Sequence, residues 1–198
     1  MADAAPPPTG VPSSSRRLPR SQRREQIIAA ATRAFARTGF SATNLDDIAA
    51  EAGISRAILY RHFDSKTDLY QAVLDNACGR LITATGADEF TETSIAGLLR
   101  AAADDPAGFR LLFHHAAREP EFRQAMDQFH TDMTRIAHKH LAAEIPNPEW
   151  AAWAAQLVPT VAVAAVTAWL DAGQPDPDHA ADRIREAIYG VIAAAQHA

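Results

Sequence analysis

One cysteine, Cys78, is present in 198 residues, so an intrachain disulfide is excluded. That usage suits a reducing compartment, and a cytoplasmic location is expected. The opening residues lack the apolar run of a secretory signal. They hold PPP, then SSS, then Arg16, Arg17 and Arg20, which reads as a disordered basic tail over residues 1–20. No stretch alternates polar and apolar residues as a strand would, and there is no internal repeat. A cofactor-binding motif and a nucleophile–base constellation are also missing, so no cofactor and no enzymatic activity are expected. With no dense Cys, Asp or His cluster, no metal site is expected either. The net charge of -5 does not announce a nucleic-acid partner.

The distribution of charge says more than its sum. From Arg16 to Lys66 there are ten Lys/Arg against five Asp/Glu, and from Gln71 onward nine against seventeen. A basic front and an acidic back point to a front that meets an acidic polymer. One long uncharged run, Trp150 to Leu170, has the length of a membrane span. It is rich in alanine, contains Gln156, Pro159, Thr160 and Thr167, and is flanked by Glu149 and Asp171. A buried or subunit-interface helix is the better reading, and no membrane partner is expected.

Apolar residues recur at three and four almost throughout, which predicts an all-α protein of about nine helices. Ser21 to Arg37 carries Ile27, Ile28, Ala31, Ala34 and Phe35 on one face, and Gly39 ends it. Asn44 is placed to cap a helix running to Ala52, with Asp47 at capping-box spacing. Ser55 begins a third helix through about His62, and Ser65 a fourth through about Ala84. Further helices are expected at Thr93–Ala103, from Pro106 through about Arg118, from Pro120, at Glu149–Ala172 and at Asp178–Gln196. Pro146, Pro148, Pro175 and Pro177 act as breaks. The organisation implied is a tail at 1–20, a helix-turn-helix domain at 21–67 and a helical effector-binding and dimerisation domain at 68–198.

Thr43 to Leu69 is the most informative segment. Two short helices meet at Gly53, which tolerates positive φ, and Ala49 is small enough for close crossing. Ile48, Ala52, Ile54, Leu59 and Phe63 form an inner apolar side. Arg56, Ala57, Tyr60 and Arg61 face the other way, with Arg56 and Tyr60 four apart. Arg56, in the first turn of the second helix, suits the O6 and N7 acceptors of a guanine. Ala57 is small enough to meet a groove wall. Tyr60, His62 and Lys66 suit phosphates, which fix register rather than sequence. Asn44 and Ser65, at helix starts, bring backbone N–H groups toward a phosphate, and Ser55 is a further candidate for DNA contact. Arg16 to Arg24 forms a basic arm able to follow the backbone or enter a minor groove.

This segment resembles the DNA-binding motif of the TetR (tetracycline-repressor-like) family. The resemblance rests on Asp47-Ile48-Ala49, Ala52-Gly53-Ile54-Ser55, Leu59-Tyr60-Arg61-His62-Phe63 and Ser65-Lys66 followed by Leu69, with Ala34-Phe35 and Gly39-Phe40 before them. Asn44 and Ile58 depart from the usual hydroxyl residues. Asn is an equally good cap, whereas Ile58 removes a hydroxyl from the phosphate side. The resemblance implies a homodimer on a palindromic operator, a repressor released by a small-molecule effector, and a four-helix dimer interface from the last two long helices. Trp150, Trp153, Leu157, Val161, Ala165 and Trp169 would supply one stripe of it, and Ile184, Ile188, Val191 and Ile192 another. Phe109, Leu112, Phe113, Met126, Phe129, His130 and Met133 can line an apolar effector pocket, or simply pack as core. Two alternatives stay open: a DNA-binding protein without an effector pocket, and an enzyme using the His-rich centre near Arg118 and Glu119.

Overall fold

A computed structural model describes residues 18–86 and 93–197. Among them are nine α-helices and no strand: α1 Arg20–Ala42, α2 Leu45–Glu51, α3 Arg56–Tyr60, α4 Lys66–Thr85, α5 Ser94–Asp104, α6 Pro106–Arg110, α7 Arg123–Glu144, α8 Pro148–Asp171 and α9 Ala180–Gln196. The tail expected at 1–20 lies outside the described residues except for its last three. Arg20 is already helical, and Arg23 and Arg24 follow in the same helix, so these three cannot belong to a flexible arm. Arg16 and Arg17 lie outside the described residues.

α1 forms because Ile27, Ala30, Ala31, Ala34 and Phe35 bury one continuous side. Its first turn has no acid to complement the helix dipole, so the basic start is set by what it does at the surface rather than by helix stability. Gly39 takes φ +78° and breaks the helical path, after which one more turn runs to Ala42. The Thr43 hydroxyl donates to the Gly39 carbonyl at 2.7 Å and fixes the exit from that break.

The three short-range caps fall where the residue types place them. Asn44 Oδ1 accepts from the Asp47 amide at 2.8 Å, Ser55 Oγ from Ile58 at 3.4 Å and Ser65 Oγ from Asp68 at 3.0 Å. α2 ends in a Schellman motif: Gly53, at φ +64°, donates to the Ala50 carbonyl and Ile54 donates to Ala49. α3 stops at Tyr60, two residues before the expected end, and Arg61 and His62 occupy the turn that follows.

The segment expected as one helix from Pro106 to Arg118 is three pieces. α6 is capped by Asp105, whose Oδ1 accepts from Gly108 at 2.9 Å. A π-helical turn, Leu111–His115, and a 3-10 turn, Ala116–Arg118, complete it. The π turn admits an extra residue per turn and so re-aims everything after it. α7 starts at Arg123 rather than Pro120, after a turn closed by Phe122 donating to the Glu119 carbonyl. Pro148 is not a break but the first residue of α8, with Asn147 Oδ1 accepting from Glu149 and Trp150. α9 begins at Ala180 rather than Asp178 because Gln174 and Asp176 take positive φ in the turn before it.

α7, α8 and α9 pack side by side, and α5 crosses α8 and α9. α1 packs against α4, α6 and the π turn, so the front of the molecule rests directly on the back. Phe35, Phe40, Tyr70 and Phe122 form the contact, with ring centroids 4.4 to 6.2 Å apart. Tyr70 is fully buried with its hydroxyl unpartnered, and burial, with Glu119 nearby, pushes that phenol up.

Candidate nucleic-acid interface and ligand cavity

The helix-turn-helix stands on a core of fully buried Ile48, Leu59 and Phe63. Ala49 and Ala52 are also buried where α2 and α3 cross, and their small size permits that crossing. Longer bonds hold this unit to α1. Gln26 Nε2 donates to the Ala52 carbonyl at 2.7 Å, and Arg24 lies 4.4 Å over the Phe63 ring. Arg33 Nε meets Glu51 at 2.8 Å, and Arg37 pairs with the same carboxylate. The Arg37 hydrogen bond, with that of Arg33, holds Glu51 below the usual carboxylate range despite partial burial.

On this frame α3 presents Arg56, Ala57 and Tyr60 outward, all three exposed. The Arg56 side chain is 56% exposed, yet it is not loose. Its Nη2 donates to the Tyr60 hydroxyl at 3.3 Å and its Nη1 to Asp46 Oδ2 at 2.9 Å. Tyr60 first, and then Asp46, raise the guanidinium's pKa, so the charge is fixed. Asp46, in the first turn of α2, is the partner that sequence reasoning missed. Ten residues separate the two in sequence, and only the crossing angle of α2 and α3 brings them together.

The remaining expected contacts divide. Arg61 is exposed beside Tyr60, and Asn44 and Ser55 are exposed at helix starts with their side chains already used as caps. His62 is half-buried; that burial, and then Arg20, Arg61, Arg24 and Arg23, hold its pKa below the ordinary histidine range. The first turns of α1 therefore add their positive charge to the end of α3. Lys66 has work inside the protein: Nζ donates to the Ser41 carbonyl at 3.2 Å and sits 4.6 Å over the Phe40 ring. Two of its three hydrogens remain for a phosphate.

Behind this surface lies a cavity of about 800 Å³ between α4, α5, the π turn, α7, α8 and α9. Of the side chains expected to line it, Phe113, Phe129, His130 and Met133 do. Phe109 is buried against a separate small cavity with Leu112, and Met126 is a core residue. Phe109 faces α4 and α5 there and Met126 packs into the main core, so neighbouring helices rather than the cavity cover both. Wall residues that sequence reasoning missed include Leu98, Thr134, Val163 and Ile188. Leu98 and Ile188 each sit on an apolar helical face, the one signal that could have found them.

The π turn connects the two sites. Phe113 and His114 line the cavity. Just beyond, Glu119 Oε1 accepts from the Phe40 amide at 3.1 Å, next to the break at Gly39. Among the described residues no three His, Cys, Asp or Glu side chains converge as a metal site would require. Burial pushes the Cys78 thiol up to about 11, the behaviour of an inert packed cysteine.

One side of α8 is exposed and mainly apolar, with Gln156 and Thr160 as its polar residues. Trp150 and Trp153, 38% and 40% exposed, meet edge to face at 5.3 Å, and the exposed Ala164 and Ala168 further along the helix also border the cavity. α8 is long and apolar enough to cross a membrane by length and composition. On α9 the expected stripe turns inward: Ile184 and Ile188 are buried within the subunit, and Tyr189, Gly190 and Ala194 face out instead.

Comparison with known proteins agrees with this geometry. Residues 27–73 match the family model described as bacterial regulatory proteins, tetR family. The chain is 37% identical over 116 residues to the HTH-type transcriptional activator FasR of Mycolicibacterium smegmatis, covering 54% of this chain and 53% of that protein. It is 51% identical over 53 residues to the HTH-type transcriptional regulator TtgR of Pseudomonas putida, covering 27% and 25%. The matches thus span about half and a quarter of those relatives. The whole fold resembles the crystal structure of a TetR-like transcriptional regulator from Rhodococcus sp. RHA1, with TM-score 0.77, 23% identity and coverage of 89% of this chain and 99% of that one.

Proposed function

We propose that this chain, whose residues 27–73 are a tetR-family regulatory domain, is a dimeric, cytoplasmic transcription regulator. It binds a palindromic DNA operator through α3 and releases it when a small, mainly apolar molecule occupies the cavity. The observation that carries this reading is the Arg56–Tyr60 pair, held outward on a rigid helix-turn-helix by Asp46. A planar fork in the first turn of a recognition helix reads guanine in the major groove. The Arg20, Arg23, Arg24 and Arg61 charges around His62 supply sequence-independent attraction to phosphate.

The exposed α8 face and the outward side of α9 supply the dimer interface, which sets two α3 helices about 34 Å apart for successive major grooves. Filling the cavity displaces Phe113 and the π turn. The shift reaches the end of α1 through Glu119 and Phe40 and alters the spacing of the two readers. The cavity favours this over a regulator without an effector.

Selection of duplexes from a random pool by the full chain tests the proposal. An enriched inverted repeat with half-sites about one helical turn apart is expected. No enrichment, or a single asymmetric site bound by one subunit, contradicts it.

A further inference from the structure

A ligand cavity is specified by the few polar atoms left without work in it, more than by its apolar wall. α7 contributes two. His130 Nδ1 lies 2.8 Å from the Met126 carbonyl oxygen. A carbonyl only accepts, so Nδ1 carries the hydrogen, and the neutral ring keeps its lone pair on Nε2. Among the described residues no donor meets that nitrogen.

Thr134 is one turn further along, so it shares a face of α7 with His130. It is half-buried and lines the same cavity. Seven threonines within helices, Thr131 and Thr167 among them, return their hydroxyl to the carbonyl four residues back. Thr134 makes no such bond, so its hydroxyl keeps both its hydrogen and its lone pairs. Two unused groups of complementary character thus stand about 5–6 Å apart at Cβ on one helix face, beside the apolar Phe113, Phe129, Met133 and Val163, in a wall that elsewhere also carries Ser94, His140, Glu144, Gln156 and Arg185.

We infer that His130 and Thr134 form a hydroxyl-reading pair: the effector is a mainly apolar molecule carrying a hydroxyl group. Its O–H donates to His130 Nε2, and its oxygen accepts from Thr134 Oγ1. Phe113, Phe129, Met133 and Val163 enclose the apolar body. This rests on the reading of the cavity as the effector site. A wholly apolar ligand would strip water from both groups and return nothing. A carboxylate has no hydrogen for Nε2.

The test is calorimetric titration of the full chain with decan-1-ol, its isomer nonyl methyl ether, which lacks only the O–H donor, and decanoate. The alcohol is expected to bind about five- to tenfold more tightly than the ether, and decanoate no more tightly than the ether. Thr134→Val keeps the side-chain shape and removes a donor that the oxygen of either ligand accepts from; it is expected to weaken alcohol and ether alike by about five- to tenfold and to leave the gap between them. His130→Phe removes the acceptor that only the alcohol uses and is expected to close most of the gap; if that variant fails to fold, the wild-type gap and the Thr134→Val loss carry the test. Equal binding of alcohol and ether, a gap that survives His130→Phe, affinities untouched by Thr134→Val, or tightest binding of decanoate overturns the inference and leaves the cavity reading standing. If none of the three probes binds, the cavity reading fails, and the inference with it.

Discussion

The front and back of this molecule use the same helical elements for opposite ends. In the front, Ile27, Phe35, Ile48, Leu59 and Phe63 close on one another with almost no exposure, and exposed groups such as Arg56 are tethered by neighbours. In the back, small alanines dominate the contact of α8 with its neighbours, and about 800 Å³ is left open. A reading surface must be rigid to keep its donors in register, whereas a receptor must hold space and still transmit its filling. The two meet at the Phe35–Phe40–Tyr70–Phe122 cluster and the Glu119–Phe40 bond.

The largest way to break the contrast is to open the front. Phe63→Ala is expected to cost about 3–5 kcal/mol, as a buried aromatic truncation does, and to abolish operator binding; thermal unfolding followed by circular dichroism checks it. A cost below about 1 kcal/mol would show the front is no tighter than the back. Next comes the face of α8. Trp153→Arg places a charge in the dimer contact and is expected to shift the chain to monomers in sedimentation, with at least about tenfold weaker operator binding. An unchanged dimer would place the interface elsewhere.

A smaller effect tests His62. Its neighbouring arginines and burial hold its free pKa low, and a phosphate against it would raise the pKa in the complex. Binding then takes up a proton, so affinity rises as pH falls through the bound-state pKa and levels off below the free-state pKa. A severalfold gain between about pH 7.5 and pH 5.5 is expected by fluorescence anisotropy, lost in His62→Gln. The same slope in both proteins would remove His62 from the interface. Smallest is Tyr70→Phe, which deletes an unpartnered buried hydroxyl. Stability is expected to hold or rise by up to about 1 kcal/mol, and a clear loss would reveal a partner for that hydroxyl.

What the sequence disclosed follows the range of the interactions. Asn44, Ser55 and Ser65 were legible as caps because each bond spans three residues, and Gly53 because its backbone conformation is local. The tie between Arg56 and Asp46 was not, since it depends on how two helices cross. The cavity was half legible: Phe129, His130 and Met133 line it from α7, but Phe109 and Met126 were misassigned because an apolar helical position reads the same whether it packs in the core or lines a cavity. The inward turn of Ile184 and Ile188 was hidden for the same reason. An apolar stripe states that something covers it, not whether the cover is the same subunit or a second one.

The central claim is that α3 reads sequence through Arg56 while the rest of the front holds it in place. Its most direct test compares wild type and Arg56→Ala against a library of operator duplexes varied one base pair at a time. Preference is expected to collapse at one symmetry-related position in each half-site, with the best duplex bound about ten- to a hundredfold more weakly and other positions still discriminated. Undiminished preference at every position, or an equal weakening of all sequences, would contradict it.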